Sequence, residues 1–186
     1  LGIPTMIDRS YQTLWNLALI PIAECIGDER SYGARPYRCA QDSLTYLWLI
    51  LVPRKKQREK NSFTWVLDAD IKGYFDNISH DWLLENIPMD KVILKKWLKA
   101  IVEVKQNGNR TIIETNAGLP QGGPISPTIA NMVLDGLHKL IEESTQDIVY
   151  KILKKEIRVD GKRKVERKAN VKTNFVRYVD DFLVIC

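Results

Sequence analysis

Phe175-Val-Arg-Tyr-Val-Asp-Asp-Phe-Leu-Val-Ile-Cys186 is the stretch whose reading decides the rest. Phe175, Val176, Tyr178 and Val179 precede two adjacent carboxylates, Asp180 and Asp181, and Phe182, Leu183, Val184 and Ile185 follow them. Both flanks are rich in β-formers, so the segment reads as strand, turn and strand. An aspartate in a turn is ordinary, because Asp tolerates turn geometry. Here the apolar flanks predict a largely buried hairpin, on which two like charges repel by roughly a few kcal/mol at an effective dielectric near 20. A divalent cation is the natural group to offset that repulsion.

Working outward, a chain of 186 residues can bury a sizeable core as one domain, or as one with an appended piece. The apolar fraction of 45% and charged fraction of 27% are those of a globular protein. Leu44 to Val52 is the longest apolar candidate for a membrane span, and it is too short. No secretory leader is visible, so a cytoplasmic (bacterial) or organellar location is expected rather than secretion. Cys25, Cys39 and Cys186 are odd in number and lack metal-ligand spacing, and read as buried or free thiols of a reducing compartment. Leu1 is not a start methionine and Cys186 falls inside an expected strand, so the chain reads as a piece of a longer protein.

The net charge of +5, with a pI near 9.1, is unevenly placed. Residues 151–172 hold ten Lys/Arg against three Asp/Glu, a net of +7, which leaves the remainder at −2. Arg54, Lys55, Lys56, Arg58 and Lys60 form a second cluster around Glu59. Basic runs are usually solvated faces, but two in one domain favour a polyanionic partner such as nucleic acid.

Along the chain, Asp8 is a candidate cap for a helix over 10–26, with Pro21 kinking or dividing it. Gly33 and Pro36 mark a loop over 31–36, and a second helix is expected over 38–51. A strand over 63–71 leads into a turn at 72–77 and a helix capped near Ser79. Val92, Leu94, Trp97, Leu98 and Ile101 give helical spacing over 91–104. Asn107 and Gly108 then mark a hairpin turn before a β-branched strand at 111–115. A loop dense in Gly and Pro (118–127) precedes a helix over 127–143, and 148–171 reads as a charged hairpin around Asp160-Gly161.

Asp70 ends the first expected central strand, so it should emerge near Asp180 and Asp181. Three carboxylates at strand ends can hold two Mg²⁺ ions about 4 Å apart, activating a hydroxyl and stabilising a leaving pyrophosphate in phosphoryl transfer. Asp68 and Asp76 compete with Asp70 for the role. Alternation puts Asp68 and Asp70 on one strand face, so periodicity cannot separate them.

Taken together, VLDADIKGYFDNISHD, GLPQGGPISPTIAN and FVRYVDDFLVIC resemble motifs A, B and C of reverse transcriptases. LGIPTMIDR and SYGARP look like finger motifs of the group II intron subclass, and the five blocks cover nearly the whole chain in family order. The resemblance implies an α+β fold, a right-hand polymerase palm made of a small antiparallel sheet backed by helices, with part of the fingers. Residues 1–62 would be partial fingers and 63–186 palm, ending before the thumb. It implies an RNA-directed DNA polymerase in a group II intron-encoded maturase that also binds intron RNA for splicing and mobility.

On that resemblance Asp70, Asp180 and Asp181 are the catalytic carboxylates and, with the Ile71 carbonyl, the ligands of two Mg²⁺. Gly73 and Tyr74 fall where backbone amides meet the triphosphate, Phe75 packs beside the nucleotide sugar, and Gln121 lies beside the incoming nucleotide. Arg35, Gly122, Lys162, Arg163 and Lys164 are the expected template or RNA contacts. The bland alternatives are core filling for Phe75 and a loop hydrogen bond for Gln121. The expected partners are an RNA template, a DNA primer, deoxynucleoside triphosphates and intron RNA, without a membrane; a homodimer is left open. The family's upstream finger strands, primer grip, thumb and downstream domains lie outside this stretch, so its own grip on primer–template is expected to be weak. Rival readings are a retroelement or CRISPR-associated reverse transcriptase without an intron, and an RNA-binding splicing cofactor with a vestigial polymerase site. The three intact carboxylates argue against the last.

Replacing Lys162, Arg163 and Lys164 by Gln should weaken RNA binding. The slope of log affinity against log salt should fall by roughly two to three, at about 0.7–0.9 for each phosphate that is no longer neutralised. An unchanged slope would show that the segment is solvated or faces a protein.

Overall fold

The computed structural model describes residues 4–52, 65–100, 102–106, 109–113, 115–145 and 173–186. In chain order the elements are α1 (Met6–Ile26), α2 (Ala40–Leu51), β1 (Val66–Ala69), α3 (Tyr74–Asn77), α4 (His80–Asn86), α5 (Lys91–Leu98), β2 (Val102–Gln106), β3 (Asn109–Ile113), α6 (Ser126–Val133), α7 (137–145), β4 (Asn174–Tyr178) and β5 (Asp181–Ile185). They fall into two compact units, Leu1–Gly27 with Ala34–Tyr37 and Asp70–Asp135, and Asp28–Gly33 with Arg38–Ala69 and Gly136–Cys186. The basic loop at 54–60 and the charged hairpin at 148–171 lie outside the described residues.

The first unit is mainly helical. α1 starts earlier than Asp8 suggested, because the Thr5 hydroxyl accepts the Asp8 amide at 3.2 Å and caps the helix from residue 5. It also runs unbroken through Pro21. Leu17 and Pro21 are both exposed, so the Leu17 carbonyl that loses its donor there lies on the solvent side. α1 packs on α6 through its buried residues Leu19 and Ala23. The core is completed by Leu83 from α4 and Ile87 at its C-cap, Leu94 and Leu98 from α5, and Ile129 and Ala130 from α6, all at most 2% exposed.

The helix expected over 91–104 stops at Leu98. Asp90 caps its start, accepting the Val92 and Ile93 amides at 2.9 and 3.0 Å, and the Thr115 hydroxyl donates to the Leu98 carbonyl at 2.7 Å at its end. Beyond it, Val102 and Val104 follow a two-residue period that suits a strand, and β2 pairs with β3 from Val102↔Ile113 to Gln106↔Asn109. The helix expected over 127–143 is also divided. α6 ends at Val133, 134–136 form a turn with Gly136 at φ +88°, and α7 follows. No helix among the described residues is long and apolar enough to cross a membrane.

The second unit holds the antiparallel sheet, in the order β1-β5-β4. β1 pairs with β5 from Val66↔Ile185 to Ala69↔Phe182, and β4 with β5 from Asn174↔Ile185 to Tyr178↔Asp181. Trp65 and Cys186 extend the first ladder through reciprocal backbone bonds of 3.2 and 3.1 Å, so the strand expected from Phe63 is seen from residue 65 onward. Phe175, Val176, Val184 and Ile185 are buried, α2 packs on β4, and His138 of α7 stacks on Phe175 at 5.2 Å. α2 begins at Cys39, whose amide donates to the Asp42 carboxylate at 2.8 Å and holds its pKa below the usual carboxylate value. Residues 30–32 run parallel beside β4: the Arg177 amide donates to the Arg30 carbonyl and the Tyr32 amide to the Arg177 carbonyl, each at 2.9 Å. That segment covers the edge of β4 that β5 does not.

Val179 and Asp180 form the two-residue turn of the β4–β5 hairpin. Such turns favour left-handed backbone, and Val179 sits at φ +61°, where a β-branched residue is strained. Asn tolerates this region better. Val179→Asn should therefore raise stability by up to about 1 kcal/mol, or a few degrees in Tm for a domain of this size. A fall in Tm would show that the apolar packing of Val179 outweighs the strain.

Candidate functional site

The sheet places the two hairpin carboxylates differently. Asp180, in the turn, is half-buried, whereas Asp181, the first residue of β5, is exposed. The burial expected of the hairpin therefore reaches Asp180 in part and Asp181 not at all. Arg177, one strand position before Tyr178, is fully buried at 0% exposure, and its Nη1 donates to the Val179 carbonyl at 3.1 Å. The last pair of the β1–β5 ladder is Ala69↔Phe182. Asp70 follows Ala69 along the chain and Asp181 precedes Phe182. Asp68 lies within the ladder opposite Leu183, and Asp76 lies in α3. Asp70 is thus the competing aspartate that stands just past the paired strand, and it is exposed.

Beyond Asp70 the chain turns sharply. Gly73 sits at φ +62° as the cap of α3, and its carbonyl accepts the Asp76 amide at 3.1 Å and the Asn77 side-chain amide at 2.8 Å. The Tyr74 amide donates to the Ile71 carbonyl at 3.1 Å. A triphosphate would compete with that internal bond for the Tyr74 N–H, whereas the Ile71 carbonyl keeps a second lone pair. The Tyr74 ring is buried and its hydroxyl donates to the Ala130 carbonyl at 2.5 Å. Phe75 is half-buried, edge-on to Tyr74 with centroids 5.6 Å apart.

This turn is fastened to the Gly/Pro-rich loop. The Leu119 amide donates to the Phe75 carbonyl at 2.7 Å and the Gly118 amide to the Ile78 carbonyl at 2.8 Å. A ring nitrogen of His80 lies 2.8 Å from the Gly118 carbonyl. Gly118 has φ +90°, and a Cβ there would stand 2.7 Å from the Phe75 carbonyl oxygen, so no other residue fits without moving the turn. Gln121 and Gly122 are exposed at the tip of the loop, with Gly122 at φ +98°. Behind them, the buried Gln12 amide fills the space that a side chain on Gly123 would need, and the Asn16 side-chain amide donates to the Pro124 carbonyl at 3.3 Å.

Arg35, an expected template contact, is only 8% exposed. It forms a two-pronged pair with Glu24, from Nε to Oε1 at 2.8 Å and from Nη2 to Oε2 at 2.7 Å. This face of the guanidinium is spent on α1. Lys162, Arg163 and Lys164 lie outside the described residues. Arg177, His80, Gln12 and Glu24 are the groups that sequence reading did not single out: His80, Gln12 and Glu24 meet partners outside their own local segment, and the burial of Arg177 is not visible in its neighbours along the chain. Among the described residues no three His, Cys, Asp or Glu side chains are gathered as a metal cluster. Mg²⁺ commonly takes one or two carboxylates and completes its shell with substrate phosphates and water, and adjacent hard-oxygen donors suit that mode.

A model of the reverse transcriptase (RNA-dependent DNA polymerase) family matches residues 1–186. Group II intron-encoded protein LtrA of Lactococcus lactis subsp. cremoris is 28% identical over 99% of this chain and 36% of its own length. Protein YkfC of Escherichia coli (strain K12) is 27% identical over 77% of this chain and 37% of its own. The chain thus spans little more than a third of these relatives. Apo telomerase from Candida tropicalis, truncated from its C-terminal domain, superposes with a TM-score of 0.50 at 16% identity, covering 96% of this chain and 33% of that one. That likeness is one of fold, the right-hand polymerase architecture of a small antiparallel sheet with helices. From the match over its whole length, this chain belongs to the reverse transcriptase family.

Proposed function

We propose that the chain carries the nucleotidyl-transfer site of an RNA-directed DNA polymerase working within a group II intron-encoded protein. The observation that carries this reading is the register of the sheet. β1 and β5 stop pairing at Ala69↔Phe182, and the next residue along each chain direction is an aspartate, Asp70 or Asp181, with Asp180 beside it in the turn. Asp70, Asp180 and Asp181, with the Ile71 carbonyl, would hold Mg²⁺. When bound, Mg²⁺ supplies positive charge for an attacking primer hydroxyl and a departing pyrophosphate.

The remaining residues bind and orient. Gly73 offers its amide to a triphosphate, and Phe75 offers a flat ring to the sugar. Gln121, exposed on its loop, faces an incoming nucleotide. The bonds joining Phe75 and Ile78 to Leu119 and Gly118 keep the sugar platform and the nucleotide loop in step. The partners are an RNA template, a DNA primer, deoxynucleoside triphosphates and intron RNA, with roles in splicing and mobility; the similarity to group II intron-encoded protein LtrA supports the intron assignment. The division into partial fingers (1–62) and palm (63–186) belongs to the same reading.

In the full-length protein, Asp180→Asn or Asp70→Asn should abolish primer extension while leaving fold and RNA binding nearly intact. An amide oxygen lacks the charge needed to hold Mg²⁺ beside a triphosphate. Extension above ~5% of the wild-type rate would sink the assignment, since loss of a metal ligand should cost far more.

Phe75 gives a second test. A ring against the sugar leaves no room for a 2′-hydroxyl and offers it no hydrogen bond, which together amount to roughly several kcal/mol, or about a thousandfold in rate, against ribonucleotides. Phe75→Val should raise ribonucleotide incorporation by about one to two orders of magnitude, with only a modest loss of deoxynucleotide use. Single-nucleotide extension with matched substrates on one RNA template reads the ratio. An unchanged ratio would reduce Phe75 to core packing.

A further inference from the structure

We propose that Arg177 is a positioning residue for the hairpin carboxylates, acting through the strained turn at Val179 and backed by Gly33. The inference rests on the polymerase reading for its consequence, but its structural part stands on the turn itself.

A fully buried guanidinium is costly unless its donors are used, and here one donor reaches over Tyr178 to the Val179 carbonyl at 3.1 Å. That carbonyl belongs to the peptide plane joining Val179 to Asp180. Fixing the plane fixes the direction in which Asp180 leaves the turn, and hence how it stands beside Asp181. Both backbone groups of Arg177 are held by the 30–32 segment, its amide by the Arg30 carbonyl and its carbonyl by the Tyr32 amide at 2.9 Å each, so the clamp has a firm base. Gly33, next along that same segment, closes the outer side. A Cβ there would lie 2.5 Å from Val179 Cγ2 and 2.7 Å from the Val179 amide nitrogen. The turn is thus gripped by a charged donor within its own strand and by a neighbouring segment with no room to spare. Such holding is what a valine at φ +61° requires, because its own preference is to leave that region.

The test uses Arg177→Lys, which keeps the charge but not the reach and planarity of the fork, and Arg177→Met, which keeps stem packing without charge or donor. Each is made alone and with Val179→Asn, and whichever folds decides the matter. Hydrogen exchange, which needs neither metal nor substrate, should quicken about tenfold across 178–182 while 184–185 stay protected. In primer extension kcat should fall about ten- to a hundredfold, with KM for the nucleotide within about twofold. Val179→Asn in the same chain should restore part of both losses, because Asn holds the left-handed turn with less help. Unchanged exchange at the turn, a rise spread evenly over 174–186, or strictly additive double variants would each overturn the proposal and make Arg177 a core-filling residue. If the turn responds as described but the wild-type protein extends no primer, the polymerase reading fails and the clamp stands.

Discussion

The pairing of β5 between β1 and β4 is the constraint on which the candidate chemistry depends. Side chains alternate across a strand, so a one-residue slip in either ladder would turn every residue to the opposite face and carry the carboxylates with it. The register is guarded from both ends. Ile185 is opposite Val66 in one ladder and Asn174 in the other, and the turn admits only two residues between Tyr178 and Asp181. Phe175 and Ile185, both fully buried, make a slip expensive. The sheet tolerates a strained valine at its tip because the ladders, the Arg177 guanidinium and the close approach of Gly33 leave the turn no cheaper path.

The helical unit solves a different problem, that of holding loops still. The turn at 71–78 and the loop at 118–127 are irregular chain, where mobility tends to concentrate, but Tyr74, Ile78, Leu119 and Ile125 sink into the core. Here backbone amides, the His80 ring and a glycine with no space for a Cβ join the two segments. Tyr74 adds a buried anchor through the Ala130 carbonyl. Phe75 and Gln121 are therefore carried on segments whose backbone bonds are satisfied by one another, which is how a rigid site can be made from irregular chain.

The hairpin and its carboxylates were legible because β-branched and aromatic runs around an Asp pair admit few other readings. The turn expected at Asn107-Gly108 lies outside the described residues, but the strands on either side of it, 102–106 and 109–113, pair antiparallel. The helix at 91–104 was overextended because Leu98, Ile101 and Val102 fit a helical period as well as a strand, and only the Thr115 bond to the Leu98 carbonyl shows where the helix stops. Asp8 reads as the cap of α1 from sequence, whereas Thr5 and Asp8 act together at one cap. Gly136 divides a helix that looked continuous because its amide is taken by Asp28, a partner 108 residues away along the chain. The pairing of Arg35 with Glu24, eleven residues earlier, is not visible in the loop that carries Arg35. For the end of α5 and the break at Gly136, the missing information was the identity of a partner distant along the chain.

The central claim, that Asp70 serves one metal site with Asp180 and Asp181, is tested most directly by ferrous-ion affinity cleavage. Fe²⁺ put in place of Mg²⁺ reduces added hydrogen peroxide to hydroxide and a hydroxyl radical, ascorbate returns the Fe³⁺ to Fe²⁺, and the radicals cut the backbone beside the bound ion. With a deoxynucleoside triphosphate present, the account predicts cuts near 70–73 and near 179–182 in the same molecules, both suppressed by excess Mg²⁺. Cuts confined to one of the two segments, or cuts that excess Mg²⁺ does not suppress, would contradict it.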